Sequence, residues 1–156
     1  MRQIFLLLLV SWVMARTAPA AEPAVSGRVL KVLPLLLNLQ GHDALSPSLF
    51  ERDAYQNYLR QHTNEISTVR YDVLWKASGA AATNLTVRLE LRAVATDGRP
   101  VLKNLETNAP PPGYFGRWIS FNLAGNDYRN LGTVVAWRAT VRSGDRLLGA
   151  QQSFLW

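Results

Sequence analysis

Residues 85–95 read Leu-Thr-Val-Arg-Leu-Glu-Leu-Arg-Ala-Val-Ala, with an apolar side chain at every second position from Leu85 to Ala93. Thr86, Arg88, Glu90 and Arg92 fill the positions between them. A period of two matches the pleat of a β-strand and puts all the apolar groups on one face; a helix would scatter them around its circumference. Val69, Tyr71, Val73 and Trp75 alternate in the same way with Arg70, Asp72 and Lys76. Strands with one apolar face need a second layer to cover it, which excludes a helical bundle and points to packed sheets.

The rest of the chain extends the pattern. Candidate strands lie at 28–40, 66–77, 85–95, 101–106, 115–123, 133–142 and 147–156. Turn chemistry separates them. Asp97-Gly98 suits a hairpin, Pro110-Pro111-Pro112-Gly113 makes a stiff crossing, and Ser143-Gly144-Asp145 reverses the chain. Residues 125–132 read as a polar loop or a single helical turn. Pro34 lacks a backbone donor, so it marks an edge or a bulge in the first strand. Residues 48–61 predict one amphipathic helix. Ser48 and Glu51 have capping-box spacing, and Leu49, Phe50, Ala54, Tyr55, Tyr58 and Leu59 form the stripe expected to pack on a sheet. Trp75 and Trp137 fall on apolar faces and are expected in the core. The fold class is therefore mainly β: an immunoglobulin-like or fibronectin-type β-sandwich with one inserted helix. A β-barrel with a covering helix is the alternative. One domain spans 28–156, after a short linker at 21–27.

Residues 1–20 read as a signal peptide. Arg2 precedes the apolar run Ile4 to Ala15, and Ala18-Pro19-Ala20 supplies a small-residue cleavage site. Twelve helical residues reach about 18 Å, short of a bilayer core of about 30 Å, so no transmembrane anchor is expected after cleavage. The mature chain is then periplasmic or extracellular. Losing two arginines takes the 17 basic residues to 15 against 11 acidic ones, and the net charge from +6 to +4. That field is weak for nucleic-acid binding, and export argues against it too.

Catalytic motifs do not emerge. The chain has no cysteine, which excludes disulfides, a thiolate zinc site and a cysteine nucleophile. It has no G-x-S-x-G, no H-E-x-x-H and no glycine-rich phosphate loop. His42 and His62 are the two histidines, each beside an element boundary. They read as solvated loop residues; a site joining His42, Asp43 and His62 is the catalytic alternative. No cofactor and no metal is implied. Asn84-Leu85-Thr86 has the form of a glycosylation sequon, meaningful only in a eukaryotic secretory pathway.

Two surfaces are candidates for binding. Arg88 and Arg92 share one strand face, and Arg138 and Arg142 another; if these strands are neighbours, the four arginines form a basic patch diluted by Glu90 and Thr140. The stretch Pro110 to Trp118 carries Tyr114, Phe115, Arg117 and Trp118, with Trp118 opposing Ile119 and Phe121. It reads as an aromatic platform for sugar rings or a peptide, or as a surface covered by the helix. Phe154 and Trp156 share a face with Leu148 and Ala150. They either zip the last strand into the core or present an aromatic terminus to a partner.

LSPSLFERDAYQNYLRQ at 45–61, RYDVLWKA at 70–77, and AWRAT with GDRLLGAQQSFLW at 136–156 together resemble a group of small exported bacterial proteins with no assigned activity. The terminal hairpin is similar to the last two strands of fibronectin-type sandwiches. The resemblance implies export and a β-rich single domain, and it carries over no catalytic residue. The function expected is that of a non-enzymatic binding or assembly protein of the cell envelope, its partner another envelope or secreted protein. A carbohydrate-binding module using 114–118 is the alternative, and a hydrolase built from Asp, Glu and His at loop ends is the third reading.

Overall fold

A computed structural model describes residues 25–79 and 84–156; residues 1–20, expected to be a signal peptide, and most of the expected linker lie outside the described residues. The chain runs β1 (Ser26–Asn38), α1 (Leu49–Gln61), a 3-10 turn (Thr63–Glu65), β2 (Ile66–Ser78), β3 (Leu85–Val94), β4 (Pro100–Asn108), β5 (Arg117–Ala124), α2 (Gly125–Leu131), β6 (Thr133–Ser143) and β7 (Arg146–Gln152). One sheet has the order β1-β2-β5 and the other β4-β3-β6-β7, with every pair antiparallel. This is a β-sandwich. The sheets do not close into a barrel.

The alternation seen in the sequence builds the core. Val69, Tyr71, Val73 and Trp75 of β2 face Val87, Leu89 and Leu91 of β3 across the sandwich, with Ile119, Phe121 and Leu123 of β5 and Ala139 and Val141 of β6 completing the cluster. Each fully buried Val or Leu side chain contributes about 1.5–3 kcal/mol. Trp75 is fully buried as expected, and Trp137 packs partly buried against the cluster.

Three expectations need correction. The last strand stops at Gln152 rather than 156: Ser153 N–H donates to the Trp137 carbonyl at 2.9 Å, and the chain then turns away through Phe154 and Leu155. Residues 125–131 form a helix of about two turns rather than a loop or single turn. The stripe on α1 is only partly used. Leu49 and Phe50 are 67% and 83% exposed, and the buried positions are Leu59 and the polar Gln56. The capping box is half formed: Ser48 Oγ accepts from Glu51 N–H at 3.5 Å, while the Glu51 carboxylate takes the Ser46 hydroxyl.

Gln56 explains how α1 docks. Its Oε1 accepts from Leu36 N–H, and its Nε2 donates to the carbonyls of Leu36 and Asp43, each at 2.8 Å. The side chain occupies the outer edge of β1 as a neighbouring strand would. With Pro34 two residues away, it closes to strand pairing the edge that the sequence marks as open.

Candidate functional site

Three surface features carry chemistry, and each is positioned by strands that are distant in sequence. The first is an aromatic and cationic end of the three-stranded sheet. Leu74 of β2 pairs with Lys31 on one side and Trp118 on the other, so these three share the outer face. Trp118 is 49% exposed, Tyr114 92% and Phe115 87%. The covering helix is elsewhere, held to β1 at Leu36. Tyr114 and Phe115 meet edge to face at 5.0 Å and 86°, so they do not continue Trp118 as one flat platform. Arg117 pairs with Trp75, points away from Trp118, and rests against Gly113, whose missing Cβ would sit 3.0 Å from its Nε. Beside this segment is a cavity of about 430 Å³, walled by Ser26, Arg28, Lys76, Ser78, Gly113 and Tyr114 among others. The Ser26 and Ser78 hydroxyls are hydrogen-bonded at 2.9 Å.

The second feature is the outer face of the four-stranded sheet. Register places Arg88 beside Thr140, Arg138 beside Glu90, and Arg142 beside Thr86, so the four arginines do share one face. Three of them have local partners. Arg88 Nε pairs with Glu106 at 2.6 Å, Arg142 donates to the Asp145 carbonyl at 2.7 Å, and the Arg92 guanidinium lies 4.1 Å over the Trp156 ring. Trp156 thus folds back onto this face rather than zipping into the core, and Phe154 is fully exposed. Interleaved Glu90 and Glu106 make the face mixed rather than strongly basic.

The third is an open seam that the sequence does not reveal. β7 pairs only with Arg138–Ser143 of β6, so Thr133, Val134 and Ala136 are paired with β3 alone, and Val135 bulges between them. A groove of about 520 Å³ runs under this free stretch, lined by Pro34, Leu36 and Tyr71 from one sheet and Val134, Ala136 and Trp137 from the other. Burial pushes the Tyr71 phenol up to about 12. The signal for the seam lies in the register bulge between Arg92 and Ala93 and in the early departure of β7; both are tertiary.

The histidines are not brought into a catalytic site. Asp43 pairs with Arg70 at 3.4 Å, while the His62 ring stacks on Tyr58 at 3.9 Å with Nδ1 2.9 Å from the Tyr58 carbonyl. Neither the cavity near Tyr114 nor the seam has a carboxylate or imidazole in its wall. Among the described residues no cluster of three His, Asp or Glu side chains has the geometry to hold a metal, and no helix is long and apolar enough to cross a membrane. Comparison of the chain with protein-family models, with curated proteins and with solved structures gives no match.

Proposed function

We propose that this is an exported, non-catalytic binding domain of the cell envelope that takes an extended segment of a partner protein along the open seam. One observation carries the reading: no strand pairs with the outer edge of Thr133–Ala136, which borders a largely apolar groove. An added strand here gains main-chain hydrogen bonds, and alternate side chains enter the groove, which is the physics of β-strand addition. A photoreactive amino acid at Val135, which is exposed at the free stretch, tests it in envelope extracts. A single partner captured at Val135 and not from exposed Leu102 on β4 is expected. Equal capture at both positions, or capture at neither, refutes the seam as the binding site.

A second reading is favoured by the exposure of Tyr114, Phe115 and Trp118: a saccharide module using the aromatic end of the other sheet. Exposed aromatic faces of this kind offer apolar contact to the C–H faces of sugar rings while leaving the hydroxyls in water.

A further inference from the structure

The aromatic end carries an unusual charge arrangement. Arg28 and Lys76 stand directly opposite each other in the β1–β2 register. Like charges at directly opposed positions oppose strand pairing. Lys31 follows on the same face, with Leu74 between it and Trp118, and Arg117 begins β5 on the opposite face, across from Trp75. Among the described residues none of these four cations has a carboxylate within ion-pair distance, whereas Arg70 in the same sheet holds both Asp43 and Asp72. Stretches 25–33, 74–79 and 109–119 supply all four cations and not one Asp or Glu. Asp145, in the β6–β7 turn at this end of the sandwich, forms no ion pair with them.

The unneutralised charge borders the cavity that has Tyr114 and the Ser26–Ser78 hydroxyl pair in its wall. We infer that this end of the sandwich binds an acidic saccharide, a uronic-acid oligomer in chemical class. The inference rests on the saccharide reading of 114–118 and adds the charge of the ligand. A sugar carboxylate placed between Arg28 and Lys76 accepts charge-assisted hydrogen bonds and relieves their mutual repulsion. The ring lies against Tyr114 and its hydroxyls meet Ser26 and Ser78. Lys31 and Trp118, on either side of Leu74, extend cation and aromatic along the outer face, which suits a second acidic sugar rather than a lone anion.

Calorimetric titration of the folded chain with oligogalacturonate and oligoalginate, with the methyl ester of oligogalacturonate, and with polyglutamate separates the ideas. The acidic oligosaccharides are expected to bind, with affinity falling as salt rises. The methyl ester and polyglutamate are expected to bind at least about tenfold more weakly, the scale of one lost charged hydrogen bond. Arg28→Gln and Lys76→Gln are each expected to lower affinity about tenfold without lowering the melting temperature, and Trp118→Ala to weaken binding as well. Equal affinity for acid and ester overturns the charge inference and leaves the saccharide reading standing. Polyglutamate binding as well as the oligosaccharides overturns the sugar part. Binding to none of the ligands overturns both.

Discussion

Gln56 is the polar side chain that ties the helix to the sheet, and its replacement gives a quantitative test of how α1 is held. Three hydrogen bonds of 2.8 Å converge on one amide that is 4% exposed. Gln56→Leu keeps the volume nearly constant, so the cavity contribution is small and the loss is the hydrogen bonds themselves. At about 0.5–1.5 kcal/mol net for each, three bonds amount to about 1.5–4.5 kcal/mol, and we expect about 3 kcal/mol. For a domain of this size that lowers the melting temperature by roughly 10 °C. Gln56→Glu separates donor from acceptor. Its carboxylate still accepts from Leu36 N–H but faces the Leu36 and Asp43 carbonyls with no hydrogen to offer, so its protonated form is favoured in the fold. Its folded pKa then lies above the unfolded value of about 4.3, and the variant loses stability as pH rises through that interval. Urea unfolding followed by tryptophan fluorescence at pH 4.5 and 8 measures both effects. A Gln56→Leu protein within 0.5 kcal/mol of the parent, or a Gln56→Glu protein with the parent's pH dependence, refutes the edge-plugging role.

Three further perturbations probe the seam and the sandwich edge. Tyr71 ionises near 12 in the fold and near 10 when unfolded, so the unfolded chain releases its proton first and stability falls between pH 10 and 12, by about 2–3 kcal/mol at the top of that window. Urea midpoints measured from pH 9 to 11.5 should show this slope flattened in Tyr71→Phe; an unchanged slope refutes the assignment. Gly149→Ala should destabilise the sandwich by about 1–3 kcal/mol, because the new Cβ would lie 2.4 Å from the Gly27 carbonyl oxygen and 2.9 Å from Arg28 Cα, forcing β1 and β7 apart. Gly132→Ala should cost more: it adds a left-handed backbone at φ +75° to a 2.2 Å clash with the Val94 carbonyl oxygen. Thermal melts of both variants decide the order.

The charge on this protein is spent differently on its two outer faces. On the four-stranded sheet Arg88 lies beside Glu106 across strands, and Arg92 has the Trp156 ring, so a basic face is quenched within the molecule. On the three-stranded sheet Asp43 and Asp72 gather around Arg70 at one end, leaving Arg28, Lys31 and Lys76 together at the other. The four arginines expected to form a basic patch do share one face, but acidic and aromatic neighbours surround them there. Strand faces are readable from alternation, but the acid that neutralises each base comes from a neighbouring strand that the sequence does not identify.

Alternation and turn chemistry act over a few residues, so the strand count, their order along the chain and most of their boundaries can be read directly from the chain, as can the burial of Trp75. The exposure of Trp118 is implied by its parity with Arg117 and Ile119, although whether α1 would cover it is not. What parity cannot reach is pairing across distance. The docking of Gln56 on Leu36, the exposure of Phe50, the fold-back of Trp156 onto Arg92 and the free stretch of β6 all depend on register, on a bulge, and on which backbone groups remain unpaired once the two sheets have packed. A helix stripe says that an apolar side exists, but the unpaired N–H and C=O of a sheet edge outweigh it in choosing where the helix sits. Both proposed binding places, the seam and the cationic end, arise where β1 meets strands more than 40 residues further along the chain, and only the packed sandwich brings them together.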